Sequence, residues 1–572
     1  MKRIFFFSCV LVVFLFTNIS AQNTTESAKN VKSNIVSSEY DRNSFTILGI
    51  DFAEQFSGQA CSKLAEVPVP DKFYDNPANP EVLSVPDMRD AMSVGSEPMK
   101  KLSDEKVIGI LNENKIGQKI LSTWFNRQSD GTFNVDVLKK RGMFNANDAD
   151  YIVASASKRG ESALMDMGMG LISKSYVLVV DFEKLRTMEQ VYDDGKVPAE
   201  KRNMNGFKAT IDAYLYKLNF NDSVAAYFFQ DYWTSTPDPN KAGAFESATF
   251  PFTPVLFMQK EAAGTQFNQG HALAPKEQKT KDELMHSLVE TALASIFTDI
   301  ENKNNEFRVK AFVTNTNPIA ANIGKKEGLG FDQRYFVYEN EEKNDGEIVS
   351  TRKGVVKAVK VVDNREVTTG KTEPSLFYQI AGGKIDAYGM FMEQKNDLGL
   401  NLIVGATGGG LGGANGRLEL YIGKAFYKTG TSGKALTSLK LYVEGGYDTG
   451  TYDYSTYGEN DFTFARFSVG LGKDFYLNNF LHWGPFAGYG VERATWEDSD
   501  NKINSDFIEA GARIGVNIRY NIQLIGSATY YIMLSSKEED SEGTLVDDDV
   551  DYSGIFDRGD GLGISIGLRF MF

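Results

Sequence analysis

From about residue 399 to the end, apolar and polar positions alternate with a period of two. Over 507–520, Ile508, Ala510, Ala512, Ile514, Val516, Ile518 and Tyr520 fall on one side. Glu509, Gly511, Arg513, Gly515, Asn517 and Arg519 fall on the other. Such alternation predicts a strand between one apolar and one polar environment. Leu418 and Leu420 oppose Arg417 and Glu419 in the same way, and Leu439, Leu441 and Val443 oppose Lys440, Tyr442 and Glu444. Eight such strands are predicted, over about 399–408, 416–427, 437–449, 461–475, 484–496, 506–520, 521–534 and 560–572. Each supplies the roughly 9–11 residues that a tilted strand needs to cross a bilayer.

Upstream the period is mixed. Met1–Lys2–Arg3, the apolar run from Ile4 to Phe16 and the small residues up to Ala21 read as a secretory signal peptide, 1–21. Residues 22–100 carry prolines at 68, 70, 77, 80, 86 and 98 and read as an extended linker. Over 101–330, helical and strand patterns mix. Ser103 opens a helix with Asp104 and Glu105 in its first turn, and Ile116, Ile120 and Trp124 recur at every fourth residue. A second helix is predicted up to about Leu171, a buried strand over 175–182, and a hairpin over 207–220 and 222–233. A long helix, 281–303, precedes a strand at 307–313. These elements predict an α+β domain. Residues 331–398 form a smaller β-rich module, within which 385–394 offers a ninth barrel strand as an alternative.

Composition sharpens this division. Of 53 glycines, 29 lie in the last 174 residues. The 76 acidic and 61 basic residues give a net charge of −15, which argues against a partner held through nucleic-acid phosphates. Three histidines and two cysteines leave little material for a metal, haem or disulfide framework, and no cofactor is expected.

At the C-terminus, Ile564, Ile566, Leu568, Phe570 and Phe572 alternate with Ser565, Gly567, Arg569 and Met571. This resembles the C-terminal assembly signal of outer-membrane β-barrel proteins of Gram-negative bacteria. The resemblance covers about 399–572 and implies an antiparallel up-and-down eight-stranded transmembrane β-barrel. It also implies insertion by the barrel assembly machinery and a surround of outer-membrane lipid. Residues from about 22 to 398 are then expected in the periplasm. Connections three, five and seven would face outward, and the longest, 535–560, carries 10 acidic and 2 basic residues. Its Asp547, Asp548, Asp549 and Asp551 read as a solvated acidic loop, and Arg558–Gly559–Asp560 as a chance match to an adhesion tripeptide.

At eight strands, side chains fill most of a barrel's interior. Arg417, Glu419, Lys440, Glu444, Glu509, Arg513, Arg519 and Arg569 are predicted to project inward and pair. His482, beside Trp483, reads as an interfacial residue of an aromatic girdle, and His271 and His286 lack a triad setting. The functional expectation is a non-enzymatic envelope protein. Its barrel would anchor a domain that binds a periplasmic protein or cell-wall partner, and would display acidic external loops. The alternative is a narrow channel or an accessory subunit of an outer-membrane transport or secretion complex.

Overall fold

The computed structural model describes residues 42–572 apart from 80, 86–88, 96–99, 146–168, 343–347, 368–372, 388, 396–398, 426–436, 455–457, 478–479 and 497–498. The predicted signal peptide and most of the predicted helix ending near Leu171 lie outside the described residues.

The first folded unit is built on a mixed sheet. Strand β1 (Ser44–Asp51) runs parallel to β2 (Ser175–Thr187), which pairs antiparallel with β3 (Met204–Leu218), and β3 with β4 (Phe252–Phe267). Both faces are covered. Leu48 and Ile50 of β1 join one core with Trp124 and Phe228, and Phe45 joins another with Leu178, Leu288 and Phe297. Along SFTILGID both parities are therefore buried, Ser44 and Thr46 included, and the strand shows no solvent-facing alternation.

Helix α1 (Ser57–Lys63) follows β1. Helices α2 (Asp104–Glu113) and α3 (Ile116–Trp124) occupy the predicted helical stretch, divided by Lys115 at φ 55°. Ile116, Ile120 and Trp124 are buried together. Helix α4 (Lys281–Lys303) begins at a capping box, in which Thr280 accepts from the Glu283 amide and Glu283 returns the bond.

Two readings are corrected here. The stretch 22–100 is not a linker over its described part. It supplies β1, and Tyr74–Asp75 and Val82–Ser84 add parallel to that strand. Ser44 meets its partner Ser175 across 131 residues, a pairing that no local pattern reveals. Residues 222–232 are helical, not the second arm of a hairpin. Asn221 caps them by accepting from the Val224 amide, and Val224, Phe228 and Tyr232 recur at helical spacing.

The second unit is a seven-stranded antiparallel sheet. It includes β5 (Lys310–Phe312), β6 (Arg334–Glu342), β7 (Ile348–Lys360), β8 (Ser375–Gly382) and β9 (Met390–Gln394). The sheet therefore begins before residue 331, and the predicted strand at 307–313 belongs to it. Strand β9 lies between β6 and β5, so it is not a ninth barrel strand.

The third unit is a closed antiparallel barrel of eight strands. These are β10 (Leu400–Gly408), β11 (Gly413–Tyr421), β12 (Leu439–Tyr454), β13 (Gly458–Lys473), β14 (Leu481–Trp496), β15 (Lys502–Arg519), β16 (Ile522–Glu539) and β17 (Gly561–Met571). Neighbours in sequence pair with one another. The seam closes between β10 and β17, from Asn401 with Met571 to Gly408 with Ile564. The outer surface is apolar, with Leu418, Phe467, Ile514 and Ile564 well exposed. Phe570 and Phe572, on the same parity as Ile564, Ile566 and Leu568, are half-buried.

Candidate functional site: the barrel lumen and its two ends

Polar side chains of the inward parity meet inside the barrel, where each charge needs a partner to offset its lost hydration. Arg417, Glu419, Lys440, Glu444, Glu509, Arg513 and Arg569 are all buried. Toward the end that meets the seven-stranded sheet, called the inner end for that contact alone, Glu419 pairs with Lys440 at 3.1 Å, with Arg569 at 3.0 Å and also with Arg513. Lys440 reaches Asp474 at 2.8 Å, and Asp474 takes Arg569 at 3.4 Å.

Further out, Arg417 pairs with Glu444 at 2.5 Å and lies over the Tyr442 ring at 3.9 Å. Glu509 accepts from the Tyr442 hydroxyl at 2.7 Å and the Ser468 hydroxyl at 2.9 Å. Beyond these, Arg466 lies 3.8 Å from Glu444 and 3.9 Å from Glu492. A lumen cavity of about 20 Å³, lined by Arg417, Glu444, Thr407 and Ser527 among others, has room for about one water.

Arg519 does not join this network. The register shifts between Asn517 and Arg519 at the end of β15, and Arg519 is left exposed. His482 is also corrected. It is a lumen residue, 1 % exposed, with Nε2 3.0 Å from Nη1 of Arg569. Arg466, Asp474 and Glu492 escaped the sequence reading, although Arg466 shares the inward parity of Ser468 and Gly470.

The glycines make room for these groups. A Cβ on Gly446 would lie 2.8 Å from the Arg466 guanidinium, and one on Gly515 would overlap the His482 ring.

The outer end is covered by the connection between β16 and β17. Asp547, Asp548, Asp549 and Asp551 are exposed. Between and after them, Val550, Tyr552 and Phe556 turn inward onto Tyr454, Phe462, Phe464 and Trp496. Arg558 pairs with Asp448 at 2.9 Å and Glu492 at 3.2 Å, and Glu492 also accepts from the Tyr552 hydroxyl at 2.7 Å. Arg558 is only 6 % exposed, so the Arg–Gly–Asp tripeptide is not presented as a flexible ligand.

The seven-stranded sheet covers the inner end. Lys357 pairs with Asp332 at 2.9 Å and donates to the Ser438 hydroxyl at 2.6 Å. The Ser438 amide donates to both Asp332 oxygens at 2.9 Å. The Lys357 ammonium also lies 4.5 Å from the centre of the Tyr476 ring. Arg334 donates to the Phe572 carbonyl at 2.9 Å, and the Tyr520 hydroxyl donates to the Arg352 carbonyl at 3.1 Å.

A second polar cluster sits in the first unit, where the carboxyl end of β1 meets the middle of β2 at Asp181. Arg89 holds Asp181 through two bonds, of 2.5 and 2.8 Å, and also grips Glu54. Burial pushes the neighbouring Asp212 carboxyl up to about 6. Burial beside Asp51 and Asp181 pushes the Cys61 thiol up to about 12, so it is not a ready nucleophile. Among the described residues, no group of His, Cys, Asp and Glu has the geometry to hold a metal ion.

No protein-family model matches the chain, and no curated protein does. Among solved structures, the barrel is similar to a major outer membrane protein from Thermus thermophilus, at 15 % identity and TM-score 0.22, covering 30 % of this chain and 99 % of that one. It is also similar to Neisserial surface protein A, at 14 % identity and TM-score 0.20, covering 30 % and 94 %. The N-terminal β-barrel domain of Pseudomonas aeruginosa OprF is similar at 12 % identity and TM-score 0.19, covering 31 % and 100 %.

Proposed function

We propose that this chain is a non-catalytic outer-membrane anchor protein. Its barrel sits among the lipids of the outer membrane, placed there by the barrel assembly machinery. It holds residues 42–394 on the periplasmic side, where the first unit binds a protein or cell-wall partner. The exposed carboxylates of 540–551 face outward. One observation carries the reading: a closed barrel with an apolar outer surface has its lumen filled by paired charges and both ends covered. An apolar exterior suits lipid, and a filled lumen suits an anchor better than a conduit. The basic start and apolar run of residues 1–21 support export.

Extraction of outer membranes should yield a band whose gel migration shifts on heating. Protease added to intact cells should cut within 540–549 and spare 44–307. Recovery of the whole chain from the soluble fraction, or cleavage within 44–307, overturns the reading. Planar bilayers containing the purified protein should stay silent. Steady conductance would replace the anchor with the channel alternative.

A further inference from the structure

The seven-stranded sheet does more than touch the barrel rim at one point. It meets the connection between β11 and β12 through Ser438. It meets the connection between β13 and β14 through Tyr476, whose ring centre lies 5.2 Å from that of Tyr378. The turn between β15 and β16 is met through Tyr520, and the end of β17 through Phe572. Every inner connection of the barrel and its closing strand thus lands on the same small sheet.

Two of these contacts bear on the seam. Strand β9 of the sheet is separated from β10, the first barrel strand, by only residues 395–399. Strand β6 lies beside β9, and its Arg334, 3 % exposed, reaches Phe572 at the end of β17. Arg334 also accepts at its carbonyl from the Lys395 amide at 3.0 Å. One residue therefore holds the chain entering β10 and the chain leaving β17, the two strands whose pairing closes the barrel.

Closing this seam joins Asn401 to Met571. Bringing together ends so far apart in sequence carries a loop-closure cost, and non-local strand pairing is slow for that reason. A preformed surface that binds each inner turn as it arrives divides one long closure into several short ones. A buried ion pair suits this task, because it rewards one register and penalises the others. The buried pair here is Lys357 with Asp332, set at the inner mouth against Ser438.

We propose that residues 310–394 are a closure template for the barrel, gathering its four inner rim contacts and setting the seam between β10 and β17. The inference does not depend on which partner the first unit binds. It is tested with the full chain, unfolded in urea and diluted into phosphatidylcholine vesicles, with barrel formation followed by heat-modifiable migration. Lys357→Met leaves Asp332 buried without its cation. Lys357→Met combined with Asp332→Asn removes both charges, and Tyr520→Ala weakens docking from the barrel side by removing a ring that packs on Val355, Ile380 and Ala381.

The Lys357→Met chain should form barrel about tenfold more slowly, the effect of about 1.4 kcal/mol on a barrier. Tyr520→Ala should slow it by a smaller factor, and the double variant should fall between Lys357→Met and wild type. Lys360→Ala, on a half-exposed side chain of the same strand, should fold at the wild-type rate. Wild-type rates for both Lys357→Met and Tyr520→Ala overturn the proposal and leave the sheet a cap added after closure.

Discussion

The first unit and the barrel are both built on β-sheet, yet they solve burial in opposite directions. In the first unit apolar residues go inward on both faces of the sheet, and the polar cluster of Arg89, Asp181 and Glu54 gathers where β1 ends beside the middle of β2. In the barrel apolar residues go outward, and the interior is made of paired charges and rings. The lesson is that period-two alternation names two environments without saying which one is inside. That is decided by what fills the polar side. A solvated face tolerates loose charges, whereas the barrel interior counts them against one another.

The largest test of this contrast is Glu419→Ala. It strips Lys440, Arg513 and Arg569 of a shared carboxylate. Breaking a buried pair costs about 3–5 kcal/mol, so the heat-resistant barrel form should be largely lost on gels. Leu288→Ala on α4 should cost about 2–5 kcal/mol through a cavity in the first unit. Proteolysis of 44–307 should rise while the barrel's gel shift stays intact. If both lesions melt both units together, the two are one cooperative fold and the contrast fails.

Gly515→Ala is expected to cost about 1–3 kcal/mol by forcing the His482 ring aside, read as a lower temperature for loss of the barrel band. Asp212→Asn should change a slope rather than a midpoint. The native Asp212 carboxyl titrates at about 6 against an ordinary 3.8. The folded chain therefore keeps a proton that the unfolded chain releases, and the associated stability is lost as pH rises from about 4 to 6. Denaturant titrations across that window should show a flatter pH dependence for Asp212→Asn. Smallest of all, Asp548→Asn should leave the stability of both units unchanged, since that side chain is exposed.

The strand parity of the barrel was legible because one rule runs from Arg417 to Arg569. Arg466 and Glu492 obeyed that rule and could have been read from it. Arg519 broke it, because a bulge two residues earlier shifts the register and parity reading assumes an unbroken strand. The inward turn of Tyr552 and Phe556 was hidden by the carboxylates around them. In the first unit SFTILGID stands beside a proline-rich stretch, and its partner strand lies far along the chain. The docking of Lys357 and Asp332 on the barrel could not be read at all. Lys357 lies within β7 and Asp332 in a turn before β6, and only the fold brings both to Ser438.

The short passage from Gln394 to Leu400 has a consequence for reach. A flexible 20-residue tether would let a domain wander about 25 Å from its attachment. Here five residues join the small sheet to the barrel. Arg42 with Glu327 at 2.5 Å, and Arg308 with Glu393 at 3.1 Å, tie the beginning and end of the first unit to that sheet. The first unit is therefore mounted rather than leashed. Its position is set by the barrel's rim, and any force applied to it would be delivered to the barrel without slack.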